Sequence, residues 1–252
     1  MPVDTNCRPS RLFLKTMYNV RDLGGLATAD GRMTAYGHFL RADAPVDLDP
    51  DDLRTLLDFP VRTVIDLRSP TEYRGQINPL SRQNSIRYYS IPLLGADLDA
   101  AIASVQLSDP SRELVGLPDL YVHLIDQSQQ SFGMVFSYLA QADPDGASLF
   151  HCSHGKDRTG LVAALLLMLA GVSDTDIIEN YQISYAYLKP WFDTFIDTVP
   201  GSIRHYFNTD PQNMAYTLAY FHRHYQSAEA YLSEACGVRS SDIQELKRRL
   251  VN

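Results

Sequence analysis

One stretch, running from a short apolar strand through a polar loop into a helix that is apolar on every side, limits the folds open to this chain more than any other. Residues 148–152 (SLFHC) read as a strand, 151–160 as HCSHGKDRTG, and 161–170 as LVAALLLMLA. The last run is about half the roughly 20 residues that a membrane span needs. It is expected to be a buried core helix starting near Arg158, and no stable membrane insertion is expected.

Cysteine at a strand end and arginine six positions on, at a helix start, make a C-x5-R loop. Its physical sense is anion capture: the backbone N–H groups of Ser153, His154, Gly155, Lys156, Asp157 and Arg158 can curl inward, reinforced by the positive end of the helix. A dianionic phosphoryl group fits such a bowl. Arg158 adds a planar fork for two of its oxygens, which a lysine could not supply. The same field favours thiolate over thiol at Cys152, so a nucleophile sits beneath the anion. The Thr159 hydroxyl is placed to hydrogen-bond that sulfur, and Gly155 and Gly160 give the backbone room to turn. His151 is expected to orient the loop by hydrogen bonds instead of exchanging protons with substrate. A Walker nucleotide loop does not fit, because Asp157 follows the Gly-Lys pair where Ser or Thr is required.

Around this loop, Val61–Asp66 and Ser85–Ile91 read as strands, and Asp49–Leu57, Pro118–Leu139, Ser173–Tyr181 and Ser241–Leu250 as helices, with Ser173 and Ser241 as N-caps. Alternating strands and helices predict an α/β fold: a central, mostly parallel sheet flanked by helices. No repeat or linker divides the chain, so residues 1–252 are expected to form one domain. Within it, about 180–236 is helical in pattern and aromatic. Tyr181, Tyr185, Leu188, Phe192 and Phe195 share one face, with Pro190 expected to kink the helix. Either the stripe is core, or the segment is a helical C-terminal flap whose aromatic inner face covers the site.

Three cysteines, Cys7, Cys152 and Cys236, with no C-x-x-C pair, argue against a disulfide scaffold and a thiolate zinc site and favour a reducing compartment. A formal net charge of −8 without a basic run excludes general nucleic-acid binding. No signal-peptide-length apolar stretch opens the sequence, so a cytoplasmic location is expected. His222 and His224 would point apart on a helix and make no metal site. Lys247, Arg248 and Arg249 are expected to be the favourable charges of a helix C-terminus. No metal and no cofactor is required, since amides and Arg158 can supply the charge stabilisation. Arg21 with Asp22 reads as a turn with an internal ion pair, and Arg41 and Arg68 as solvated charges.

HCSHGKDRTG resembles the signature of cysteine-dependent protein tyrosine phosphatases, specifically the atypical bacterial and fungal branch with H-C-x-x-G-K-D-R-T-G. Asn19–Gly25 (NVRDLGG) is similar to its N-terminal N-F-R-D-L-G-G, and Val64–Ser69 (VIDLRS) to its V-I-D-L-R-S. The likeness extends to Gly37–Arg41 and Gly171–Ser173, spanning most of the chain up to about residue 190. It implies a cysteine-phosphatase-like fold and hydrolysis of phosphotyrosine, often phosphoserine or phosphothreonine, and in several members phosphoinositides. The expected partner is therefore a phosphorylated protein or a phosphoinositide. His154 stands where the family usually has a small residue. It either faces outward, the reading favoured here, or adds cationic character toward a polyphosphorylated headgroup.

The leaving oxygen needs an acid. The resemblance points to Asp157, inside the loop. Asp66, at the end of a strand, competes, because α/β sheets collect catalytic side chains at that edge. So do the loop aspartates Asp97, Asp99 and Asp109. The expected activity is a cysteine-dependent phosphomonoesterase working through phosphocysteine. Two other readings stay open: a catalytically silent phospholigand-binding module, and a cysteine-loop sulfurtransferase or arsenate reductase, which would need a second working cysteine near Cys152.

Overall fold

A computed structural model of the chain describes residues 11–73, 77–93 and 116–251. Its centre is a five-stranded sheet of β1 (Arg21–Asp22), β2 (Phe39–Ala42), β3 (Val61–Asp66), β4 (Arg87–Ser90) and β5 (Ala147–His151), in the order β1-β2-β5-β3-β4. All neighbours run parallel except β1, which pairs antiparallel with β2 at one edge. The structure has the expected α/β class, and β3 has the expected bounds. The β1–β2 pair was not expected.

The sheet is covered on both faces, so its central strands carry apolar residues on both sides. In β5, Ala147 and Leu149 point to the face packed by Val20, Leu56 and Leu80, whereas Phe150 and Cys152 point to the opposite, larger core. Strand alternation thus assigns Cys152 to its face. The smaller layer is α1 (Pro50–Asp58), capped by Asp49, with the 3-10 turn Pro79–Arg82. A four-residue helix, α2 (Pro70–Tyr73), follows β3. The larger layer holds α3 (Leu117–Gln127), α4 (Gln129–Ala140), α5 (Arg158–Ala170), α6 (Asp174–Phe192), α7 (Pro211–His224) and α8 (Ser240–Leu250).

The structure differs from the sequence expectations at four points. The single helix expected over 118–139 is two, broken at Ser128, whose hydroxyl donates to the Leu93 carbonyl at 2.8 Å. Helix α6 runs to Phe192 instead of ending at Tyr181, with Pro190 inside its last turn. Helix α8 starts at Ser240, so Ser241 is not its N-cap. Arg249 is buried, donating to the carbonyls of Leu139 and Gly146, so it is a structural tie and not a solvated end charge.

Helix α5 is buried over nearly its whole length and ends at Gly171, whose φ of +78° is the left-handed C-cap that glycine favours. No helix among the described residues is long and apolar enough to cross a membrane. In register, Ala42, His151, Asp66 and Ser90 close the same carboxyl edge of β2, β5, β3 and β4. Cys152 therefore leaves the middle of the sheet at the edge where α/β folds collect ligands.

Leu166, fully buried in α5, tests the packing of this core. Leu166→Ala is expected to lower the unfolding free energy by about 3 kcal/mol in a urea titration. A loss near zero would mean that the helix is not packed as described.

Candidate active site

The loop after β5 is shaped from behind. Ala44 N–H donates to the Ser153 carbonyl (3.1 Å), and Asn19 Nδ2 to those of His154 (3.0 Å) and Gly155 (3.1 Å). Arg41 Nη2 donates to the carbonyls of Gly155 (2.8 Å) and Lys156 (3.4 Å). Among the described residues, none of the main-chain N–H groups of Ser153 through Arg158 donates a hydrogen bond. With the carbonyls turned to the protein, these donors are left for a ligand. Gly155 adopts φ +68°, and a Cβ there would lie 2.2 Å from the Ala42 carbonyl oxygen, so only glycine lets the loop lie this close to β2.

Two arginines hold this arrangement, and both correct an expectation. Arg41 is buried, not solvated; its Nη1 donates to Asn180 Oδ1 at 2.6 Å. Arg21, also buried, does not pair with Asp22. It donates to Asn19 Oδ1 (2.5 Å), the Asn180 carbonyl (2.7 Å) and Ser184 Oγ (2.8 Å). Asp22 instead accepts from the N–H groups of Gly24 and Gly37. Burial pulls Arg41 down to about 10, which still leaves it charged at neutral pH, and no carboxylate forms an ion pair with Arg21 or Arg41 among the described residues. Asn19 is fixed in turn by Asp43, which accepts its N–H and that of Tyr18.

Cys152 is 1% exposed, directly after the strand. The Thr159 hydroxyl, expected on its sulfur, is buried and has no hydrogen-bond partner among the described residues. His151 bridges Asn78 Nδ2 (2.9 Å) and the Cys152 carbonyl (3.1 Å), and burial holds its pKa below the ordinary value. Arg158 is gripped by a residue the sequence reading missed. Glu72 of α2 takes Nη1 at 2.6 Å and Nη2 at 2.5 Å, and accepts as well from Ser153 Oγ and Ser69 N–H. Nη1 also approaches the Leu67 carbonyl at 3.3 Å. Of the five guanidinium donors three are engaged, leaving the edge shared by Nε and Nη2.

The carboxylates differ sharply. Asp66 is fully buried and accepts from Arg68 N–H, Nε and Nη2 and from the Tyr88 hydroxyl, all at 2.7–3.0 Å. Every lone pair toward which a substrate proton could be drawn is taken. Burial would raise its pKa, but the charges of His151 and Arg68 and these bonds hold it far below the carboxylate range. Arg68, expected to be solvated, is buried as its partner. Asp157, at the N-cap of α5, has a quarter of its side chain exposed. Its Oδ1 accepts from Lys156 Nζ at 2.8 Å and from the Tyr121 hydroxyl, which also meets Tyr181 Oη at 2.8 Å. Burial would raise Asp157, yet the Lys156 ammonium and these bonds hold it below its ordinary value. Asp97, Asp99 and Asp109, like Cys7, lie outside the described residues.

His154 does not face outward. Its ring lies 5.3 Å from Trp191, 5.4 Å from Phe192 and 5.7 Å from Phe207, between the end of α6 and the 3-10 segment Gly201–Phe207. Burial there, with the Lys156 charge, pulls it down to about 4, so it is a neutral ring at pH 7. Lys156, 1% exposed, donates to Asp157 and to the Tyr206 carbonyl at 2.6 Å, tying the loop to the same segment. The aromatic stripe therefore divides: Tyr181, Leu188 and Phe192 are buried, while Tyr185 is exposed.

Cys236, half-buried, has its thiol pushed up to about 12 by burial. His222 pairs with Asp174 and His224 with the Tyr220 carbonyl, and no cluster of three or more metal-ligating side chains occurs among the described residues.

Residues 12–252 match the sequence profile of the tyrosine phosphatase family. A tyrosine-protein phosphatase of Nostoc commune is 36% identical over 217 residues, covering 81% of this chain and 70% of that protein. A putative tyrosine-protein phosphatase of Cupriavidus necator is 32% identical over 174 residues, 68% of this chain and 61% of the relative. Among solved structures, a Cys-to-Ser variant of P. aeruginosa TpbA in complex with pTyr aligns with 86% of this chain and 88% of its own, at 16% identity and a TM-score of 0.39.

The Glu72–Arg158 pair has a pH signature. Burial opposes ionisation of Glu72, but Arg158 outweighs it and lowers its pKa from 4.5 to about 2. A depressed carboxyl contributes stability that is complete above the unfolded value and is lost as pH falls through the folded one. Glu72→Gln should lower the urea midpoint at pH 7 and flatten its decline between pH 4.5 and 2. A decline as steep as that of the parent would contradict the pairing.

Proposed function

The chain belongs to the tyrosine phosphatase family, and from that premise we propose that it hydrolyses phosphotyrosine through a phosphocysteine formed on Cys152. The observation that carries this reading is the set of unbonded N–H groups from Ser153 to Arg158, closed by Arg158 and entered by Cys152 from the strand end. A binding module would have no use for a nucleophile at the base of the bowl.

The proposed steps balance as follows. The Cys152 thiolate attacks phosphorus while the ester oxygen leaves with a proton from Asp157. Water then attacks the phosphocysteine, returning its proton to Asp157 and releasing phosphate and thiolate. The loop amides of Ser153, His154, Gly155 and Lys156 and the free Nε/Nη2 edge of Arg158 hold the equatorial oxygens. Thr159 Oγ1, without a partner among the described residues, donates to the sulfur as it leaves. Lys156 and Tyr121 favour the ionised form of Asp157, and the charge of an entering phosphoryl group raises its pKa toward the protonated form an acid needs. Asp66 serves structure, because Arg68 and Tyr88 occupy it.

The same chemistry can act on phosphoserine, phosphothreonine and phosphoinositides. Phosphotyrosine is favoured because Lys156 is spent on Asp157 and Tyr206, and His154 is neutral, so neither offers a cation to a second phosphate. Residues 1–252 act as one phosphatase domain in this reading; of the segment 180–236, the end of α6 and Gly201–Phe207 cover the loop through Trp191, Phe192 and Phe207, whereas Met214, Leu218 and Phe221 of α7 belong to the core and not to a flap. The sulfurtransferase or reductase alternative loses support from Cys236, a thiol held protonated.

Phosphate release from a phosphotyrosine peptide, a phosphoserine peptide and a phosphoinositide tests the assignment. Turnover should be fastest on phosphotyrosine and absent in Cys152→Ser. Asp157→Asn should slow the peptide reaction about a hundred-fold, and far less for an aryl phosphate whose leaving group is acidic enough to depart unaided. Turnover by Cys152→Ser would overturn the proposal.

A further inference from the structure

Asp157 stands at the N-cap of α5, where an aspartate ordinarily accepts from the free N–H groups of its own helix. It makes no such bond. Its Oδ1 is turned instead to Lys156 Nζ and to the hydroxyl of Tyr121, a residue of α3 that lies 36 positions away and is 1% exposed. Both donors meet the same oxygen. Asp157 Oδ2 accepts no hydrogen bond among the described residues, although the side chain keeps a quarter of its surface exposed.

The direction of each proton follows from the chemistry of the groups. The single Tyr121 hydroxyl proton goes to the carboxylate, so Tyr181 of α6, at 2.8 Å, must donate to the Tyr121 oxygen. Asn213 Nδ2 of α7 reaches the Tyr181 oxygen at 3.4 Å. Three helices thus supply a chain of donors, Asn213 to Tyr181 to Tyr121, that ends on one carboxylate oxygen. The Tyr121 ring is set edge-on to that of Tyr181, with centroids 6.0 Å apart. Burial and the charge of Asp157 raise both phenols above their ordinary value, so they keep their protons at neutral pH and neither is itself the acid.

We propose that Tyr121, held by Tyr181, is the positioning residue for the acid: by engaging Oδ1 it leaves Oδ2 to carry the proton and aims it at the leaving oxygen. This rests on the reading of Asp157 as the acid. An oxygen that receives two donors is the poorer place for a proton, which therefore sits on Oδ2. As the Oδ2–H bond breaks and the leaving oxygen takes the proton, negative charge returns to the carboxylate. The Tyr121 bond then becomes charge-assisted and is stronger in the transition state than before it, while the Tyr121 proton stays where it is. Lys156, His154 and Arg158 face Asp157 from its own segment, Arg41 from β2 and Tyr181 from α6. Besides Lys156, Tyr121 alone among the described residues hydrogen-bonds its carboxylate.

Tyr121→Phe keeps the ring and removes the hydroxyl. On a phosphotyrosine peptide it should lower kcat about ten-fold with KM changed less than about two-fold, since Tyr121 acts on Asp157 and not on the phosphate. An aryl phosphate with an acidic leaving group should slow far less. The basic limb of the pH profile of kcat should move to higher pH, because the lost bond favoured the ionised carboxylate. In an Asp157→Asn background the same change should alter kcat less than about two-fold. Tyr181→Phe should act in the same direction and more weakly, and it carries the same test if Tyr121→Phe shows no urea transition. A basic limb that does not move, or a ten-fold loss that persists in the Asp157→Asn background, would overturn the positioning role. Full peptide turnover by Tyr121→Phe, with Asp157→Asn still slow, would strike this inference alone. Full peptide turnover by Asp157→Asn would strike the acid reading and this inference together.

Discussion

The capture of four consecutive carbonyls, those of Ser153, His154, Gly155 and Lys156, by Asn19, Arg41 and Ala44 is the constraint on which the rest of the site depends. A polar loop at a strand end would ordinarily present a mixture of donors and acceptors, and such a mixture repels an anion as readily as it binds one. With the acceptors spent on the protein, only donors remain to face inward. Gly155 permits the close approach to β2 that these bonds require.

Holding carbonyls with buried guanidinium groups has an electrostatic consequence. Arg21 and Arg41 are bound to amide, carbonyl and hydroxyl oxygens and to no carboxylate among the described residues, so their charge is not cancelled by an ion pair. That positive charge lies behind the same loop, adding to the helix end and to Arg158. Arg158 is different: Glu72 offsets its charge and sets its plane, leaving a defined edge for two oxygens. Orientation is supplied by the neutralised arginine at the rim and field by the two uncompensated ones beneath. The aromatic cluster of Trp191, Phe192 and Phe207 around the neutral His154 ring, with the Lys156 bond to Tyr206, couples the loop to the helical segment above it.

What the sequence revealed and what it hid divide along chain distance. The nucleophile, the arginine and the intervening donors are contiguous, and β3 and α5 follow from apolar runs with clear polar ends. Glu72 lies 86 positions from Arg158, and Asn180 139 from Arg41; no local pattern joins them. Sequence alone makes Arg21, Arg41 and Arg68 solvated or locally paired, because isolated charges usually are. Their burial becomes affordable only when carbonyls, Asn180 and Asp66 arrive from elsewhere in the fold. The resemblance marked the segments that hold Asn19, Arg41 and Asp66 without saying what each side chain does. His154 misled for a similar reason, since the rings that enclose it come from the end of α6 and from the segment beyond it. Ser128 broke a helix whose apolar period runs through it, because the partner of its hydroxyl, Leu93, belongs to the chain before α3.

A crystal structure with tungstate, a tetrahedral dianion of phosphate-like shape, would examine the donor bowl most directly. The expected density lies over the Cys152 sulfur, with the oxygens within hydrogen-bond reach of the main-chain N–H groups of residues 153–158 and of the Nε/Nη2 edge of Arg158, while Asn19 and Arg41 keep their hold on the carbonyls behind. Tungstate held only by side chains elsewhere, or loop carbonyls turned toward the anion, would contradict the proposed basis of anion capture.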